Sequence, residues 1–89
     1  MSEAIITWNK ETEIKFQKIL EQIPDLIRGI AEARVSKRAQ SIVAEDNRTE
    51  ITEKEMVAAF FLETPVGFLP LMKKSMEELG IDYTLYGYK

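Results

Sequence analysis

Residues 23–56 read IPDLIRGIAEARVSKRAQSIVAEDNRTEITEKEM, and this stretch decides the fold. Pro24 suits the first turn of a helix but disfavours helical geometry in the residue before it, so one helix ends and another begins here. Apolar residues then recur at helical spacing for about five turns, as far as Glu45. They are Ile27, Ile30, Ala31, Val35, Ala39, Ile42 and Val43. The spacing predicts a long central helix with these side chains on its buried face.

A helix-start signature stands at the end of the same stretch. Thr52 can cap the amide of Glu55, while the Glu55 side chain can reach back to the Thr52 amide. The next helix therefore begins near Glu53, and Thr64-Pro65 ends it.

Two further helices flank this centre. Apolar stripes at helical spacing predict one from about Lys10 to Gln22 and another from about Leu69 to Leu79. Gly80 then fits a left-handed cap. Residues 1–89 are thus predicted to form a single, mainly all-α domain, a small bundle of about four helices.

The alternation of Ile81, Tyr83 and Leu85 suits a short strand. Its partner within the chain would be Ala4–Thr7, which would pair the two termini. The tail also carries the tyrosines Tyr83, Tyr86 and Tyr88. These side chains either dock on their own domain or form an interface with a partner, and a homodimer is one form such an interface could take.

The composition restricts the chemistry. The 89 residues contain no cysteine and no histidine, which removes thiol nucleophiles, the commonest metal ligands and the commonest general base. We therefore expect a protein that is not an enzyme and has no catalytic, cofactor-binding or metal-binding residues. The start, Met1–Ala4, lacks a basic leader, and the longest apolar run, Met56–Leu62, is too short to cross a membrane. A cytoplasmic protein with no membrane partner is the expectation.

Arg28 projects into the apolar face of the central helix, where a cation is costly unless it is paired or reaches solvent. One interpretation is an ion pair with Glu11, Glu13 or Asp25, or a side chain that reaches out to water. The other is a contact with an anion or a partner protein.

Arg34, Lys37 and Arg38 lie on one flank of the central helix, because spacings of three and four bring side chains together. This flank is either a solvated helix face or a patch that meets phosphate or an acidic surface. The net charge of −3 and the absence of interleaved aromatic residues weaken a nucleic-acid role without removing it.

The aromatic and methionine residues of the C-terminal half allow two interpretations as well. They are either core residues or the lining of a pocket for an apolar ligand. The set comprises Phe60, Phe61, Phe68, Met72 and Met76.

Part of the chain resembles a known family. The residues that carry the resemblance are Trp8, Glu11, Glu13, Ile23-Pro24, Arg28, Ala31, Arg34, Val35, Ala39 and Ile51-Thr52-Glu53. In order and spacing they are similar to the small helical domain at the C-terminus of light-independent protochlorophyllide reductase subunits. The resemblance covers residues 1–56 and leaves residues 57–89 as an additional helix and a tyrosine tail.

The resemblance implies an accessory role rather than the reductase chemistry, which depends on a larger domain and on a cluster that this chain has no cysteine to hold. It implies a non-catalytic helical module that binds a protein partner, with a redox or tetrapyrrole enzyme as the candidate. A small nucleic-acid-binding domain that uses the basic flank is the alternative.

Overall fold

The computed structural model describes residues 5–89. The helices and strands are β1 (Thr7–Trp8), α1 (Lys10–Glu21), α2 (Asp25–Glu45), β2 (Glu50–Ile51), α3 (Glu53–Glu63) and α4 (Leu69–Glu78). A short 3-10 helix, Val66–Phe68, precedes α4, and a second, Tyr83–Tyr86, lies in the C-terminal tail. The prediction of a mainly all-α fold with about four helices is confirmed for this part of the chain.

The helix starts follow the local signals in the sequence. Asn9 caps α1, because its side-chain oxygen accepts hydrogen bonds from the amide and the hydroxyl of Thr12, each at 3.1 Å. A capping box joins Thr52 to Glu55 at the start of α3. These contacts satisfy amides that a helix leaves without partners in its first turn.

The two strands pair with each other, not with the tail. β1 runs parallel to β2, with Thr7 opposite Glu50 and Trp8 opposite Ile51. The predicted pairing of the two termini is therefore wrong, and Ala4, which it included, lies outside the described residues. The short ladder ties the segment before α1 to the segment before α3.

The tail is a 3-10 helix because its local chemistry favours a turn. The carboxylate of Asp82 accepts a hydrogen bond of 3.0 Å from the amide of Thr84, which caps the 3-10 helix. Gly87 ends it in the left-handed region, at a φ of 92°. The alternation of apolar residues was thus a misleading signal for a strand.

One core joins all the helices. Its fully buried large side chains come from all four helices, from β2 and from the segment after α4, and include Ile19, Val43, Ile51, Met56, Phe60, Met76 and Ile81. The ring of Phe16 stacks on that of Trp8, with centroids 4.5 Å apart, and meets that of Phe60 edge-on at 5.7 Å. Residues beyond Met56 thus belong to the same packed unit as those before it.

The central helix buries only part of its apolar face. Val35, Ala39 and Val43 are buried against the rest of the domain, as predicted. Ile27 and Ile30 were expected in the core but are exposed. They lie in the first turns of α2, a helix that does not pack closely against α4. The gap between these two helices forms an open groove.

Candidate functional site

An open groove lies between α2, the C-terminal end of α3 and α4. We call it the apolar groove, and its volume is about 270 Å³. Its floor consists of buried core side chains, Ile19, Val35, Phe60 and Met72. Its walls carry Ile27, Ile30, Phe68 and Leu71, which are respectively 37%, 58%, 51% and 51% exposed. Apolar side chains this exposed around one depression are typical of a binding surface.

The groove is bordered by a few polar side chains. Ser75 is buried and donates a 2.7 Å hydrogen bond to the side-chain oxygen of Gln22, which links α4 to the end of α1. Glu63 also lines the groove, and its Oε2 lies 2.8 Å from Nε of Arg38. Arg34 lines the groove and forms no ion pair with any residue in the range 5–89. The groove thus has one cation whose charge is not compensated by these residues.

The side chain of Arg28 forms hydrogen bonds and an ion pair within the domain. Its guanidinium donates hydrogen bonds to the backbone carbonyls of Leu20, Glu21 and Ile23 at 2.8–3.2 Å, and it pairs with Asp25 at 2.8 Å. These carbonyls are at the C-terminal end of α1, where a helix has unpaired acceptors and a partial negative charge. Of the partners that the sequence left open, Asp25 forms the ion pair, and the contact with the α1 carbonyls was missed by the sequence. Arg28 therefore ties the start of α2 to the C-terminal end of α1.

The predicted basic flank is divided in the structure. Arg34 lines the apolar groove, Arg38 is held by Glu63, and Lys37, one helical turn from Arg34, lies at the edge of α2 that is nearer to α1. There it lines a shallow polar cleft between α1 and α2, next to Glu13 and Glu32. The three cations are neighbours on α2, but each has different surroundings.

The tail tyrosines pack on their own domain, in accord with one of the two interpretations of the sequence. The ring of Tyr88 stacks on Phe61 at 4.3 Å, and that of Tyr83 lies 5.5 Å from the same ring. The hydroxyl of Tyr83 donates to Glu77 at 2.6 Å, and that of Tyr86 to Glu53 at 2.7 Å. Each of the three tyrosines therefore contacts the rest of the chain through its ring, its hydroxyl or both.

Glu53 joins three parts of the molecule. Its carboxylate accepts from Lys15 of α1 and from Tyr86 of the tail, each at 2.7 Å. Burial raises the pKa of Glu53, but the hydrogen bonds from Lys15 and Tyr86 outweigh this effect and lower it overall. Burial, together with the hydrogen bond to Glu53, raises the pKa of Tyr86 to about 12.

This raised pKa predicts how the tail responds to alkali. Because the pKa of Tyr86 is higher in the folded state, its contribution to stability is complete below pH ~10 and is lost as the pH rises towards 12. We expect the stability of Tyr86→Phe to fall less steeply than that of the wild type in this range, as measured by urea unfolding. Tyr88→Phe is the control, because the Tyr88 hydroxyl has no hydrogen bond within residues 5–89; an equal change in both variants would contradict the prediction.

Only some of the predicted pocket residues meet at the groove. Phe60, Phe68 and Met72 line it, whereas Met76 is fully buried in the core and Phe61 lies beneath the tail. Three residues of the groove wall, Ile27, Ile30 and Leu71, were not predicted to line a pocket. The helical spacing of Ile27 and Ile30 had assigned them to a buried face.

The part of the chain that the structure describes shows no grouping of acidic side chains suited to a metal ion. None of its helices has the length and apolar character needed to cross a membrane. The most buried carboxylate, that of Glu55, forms an ion pair with Arg48 at 2.8 Å and accepts hydrogen bonds from Thr52. These contacts stabilise the start of α3.

Together the fold and the groove define a small helical module with an open apolar surface. Over residues 1–88 the chain matches the family described as Protein of unknown function (DUF2621), and it belongs to that family. The match extends past Met56 and also covers α4 and most of the tyrosine tail. No curated protein and no solved structure matches the chain.

Proposed function

We propose that this protein is a non-catalytic module that binds a partner protein in the apolar groove. The observation that carries the proposal is the exposure of Ile27, Ile30, Phe68 and Leu71 around a single depression. Completely burying such a side chain contributes about 1.5–3 kcal/mol, and roughly half of that remains to be gained here at each position. The groove therefore offers several kcal/mol to any surface that covers it.

The shape of the groove favours a helix of the partner over a small ligand. Pockets for small molecules usually enclose most of the ligand in ~300–1,000 Å³, whereas this groove is at the lower end of that range and is open to solvent. A depression between two helices matches the mode in which an amphipathic helix places apolar side chains at i, i+3, i+4 and i+7 into a groove. The resemblance to the reductase domain makes a redox or tetrapyrrole enzyme the candidate partner.

Two isoleucines provide a matched test. Ile30 is on the groove wall and Ile14 is on α1, away from the groove, and the two side chains are 58% and 52% exposed. Ile30→Glu would place a carboxylate against the apolar face of the partner, which we expect to weaken binding at least ~10-fold. Ile14→Glu should leave binding unchanged.

The experiment is affinity capture from the native cell extract with the wild type and both variants, followed by quantitative mass spectrometry and nucleic-acid analysis. A protein that is lost with Ile30→Glu and retained with Ile14→Glu supports the proposal. If every captured protein is retained equally by the two variants, the groove is not the binding surface. Salt-sensitive nucleic acid that depends on Arg34 or Lys37, without a protein, would favour the alternative function.

A further inference from the structure

We infer that the helix bound in the apolar groove is acidic at the edge of its apolar stripe, with a carboxylate that pairs with Arg34. This inference rests on the proposed function and specifies the chemistry of the partner. Its basis is the charge distribution around the groove, where the apolar lining is interrupted by two ionised side chains, Arg34 and Glu63.

The two charged side chains differ in their exposure and in whether they already form an ion pair. Glu63 is mostly buried, with its side chain 18% exposed, and is already paired with Arg38 at 2.8 Å. Arg34 is exposed and has no ion pair with residues 5–89. A partner that covers the groove with an apolar or basic edge would leave this cation desolvated without compensation, whereas a carboxylate would pair with it.

The same charge distribution argues against a second copy of the chain as the occupant. In a two-fold dimer the same patch meets itself, so the groove of one copy would face the groove of the other. Each side would then bring an uncompensated Arg34 and a Glu63 already engaged by Arg38. Two such surfaces are not complementary in charge, although both are apolar.

A pair of synthetic peptides tests the inference directly. Each is an amphipathic peptide of roughly 16 residues, which a covalent staple holds in a helix because isolated helices of this length are marginal in water. Leucines at i, i+3, i+4 and i+7 form its apolar stripe. The peptides differ only in the residues beside the leucine stripe, which are glutamate in one and lysine in the other. Binding is measured by fluorescence anisotropy at low and at high salt, after circular dichroism has shown that both peptides are helical.

The expected result is that the glutamate peptide binds the wild type about 3–10-fold more tightly than the lysine peptide, a preference that weakens with salt. Arg34→Glu should reverse the preference. Lys54→Glu, which makes the same charge change at an exposed position at the start of α3, outside the groove lining, should preserve it. Ile30→Glu should weaken the binding of both peptides.

The other outcomes separate the inference from the proposed function. Equal binding of the two peptides that is lost with Ile30→Glu would overturn the acidic partner and leave the groove as a helix-binding surface. Failure of both helical peptides to bind would overturn both. Binding of laurate that depends on Arg34, in the absence of peptide binding, would assign the groove to a small amphiphile. A wild type that sediments as a dimer and Ile30→Glu as a monomer would assign it to a second copy.

Discussion

Replacing Phe60 with alanine is expected to destabilise the domain by about 4 kcal/mol, since removing a buried phenylalanine loses its transfer free energy and leaves a cavity. Phe60 is 2% exposed, its ring contacts that of Phe16, and it forms part of the floor of the apolar groove. A domain of 89 residues has a total stability of roughly 4–13 kcal/mol. Phe60→Ala therefore removes a large fraction of it.

Phe68→Ala is the matched control. Phe68 lines the same groove but is 51% exposed, so its truncation should cost less than about 1 kcal/mol. The free energies of unfolding come from urea titrations of the two variants. Phe60→Leu, with an expected loss of about 1–2 kcal/mol, keeps the comparison possible if Phe60→Ala does not fold.

The same two positions separate stability from binding. If the groove receives a partner, Phe68→Ala should weaken capture of that partner while leaving the unfolding curve almost unchanged. Phe60→Leu should lower stability more than it lowers capture. Similar losses of stability in Phe60→Ala and Phe68→Ala would mean that Phe60 contributes no more to the stability of the core than the exposed Phe68 does.

The helix boundaries could be predicted because their signals are local. Pro24, the Thr52–Glu55 capping box and the left-handed Gly80 each act within a few residues of the boundary that they set. At Gly80 the φ angle is 74°, and the following amide, that of Ile81, donates to the carbonyl of Met76 at 2.9 Å. Such contacts need no knowledge of the rest of the chain.

The parallel pairing of β1 with β2 could not be predicted, because each strand has two residues and the pairing is set by how α1 and α2 return the chain. Arg28 is an intermediate case. Its position on an apolar face indicated an internal partner, but the α1 carbonyls that it caps become neighbours only when α1 and α2 meet at their angle.

The wall of the groove that α2 contributes was missed for a related reason. Helical periodicity shows which face of α2 is apolar, but it does not show whether another element covers that face. Val35, Ala39 and Val43 are covered by the rest of the domain, whereas Ile27 and Ile30 continue the same stripe beyond it. The part of the pattern that failed as a core prediction is the part that forms the candidate site.

Glu55 should be the most sensitive charged position in the domain. Its side chain is 1% exposed; it accepts from Arg48 at 2.8 Å and from the amide and hydroxyl of Thr52 at 2.8 and 2.6 Å. Glu55→Ala removes the ion pair and half of the capping box together and leaves a void, so we expect a loss of about 3 kcal/mol near pH 7. Glu55→Gln keeps the shape and an acceptor for Thr52 and should lose about half as much. Glu63→Gln, which breaks the more exposed pair with Arg38, should cost ~0.5 kcal/mol.

The pH dependence distinguishes the ion pair from simple packing. Burial alone raises the pKa of Glu55, but the hydrogen bonds from Arg48 and Thr52 outweigh it, so its pKa in the folded state is below the usual value. A lowered pKa means that the stabilisation is complete above the unfolded-state pKa of ~4.3 and is lost as the pH falls through the folded-state value. The difference in unfolding free energy between the wild type and Glu55→Gln should therefore be constant near neutrality and shrink below pH ~4. If the difference stays constant into acid, the negative charge of Glu55 contributes nothing to stability. Glu55 would then act through its shape, because neutralising its carboxylate would not bring the wild type closer to Glu55→Gln.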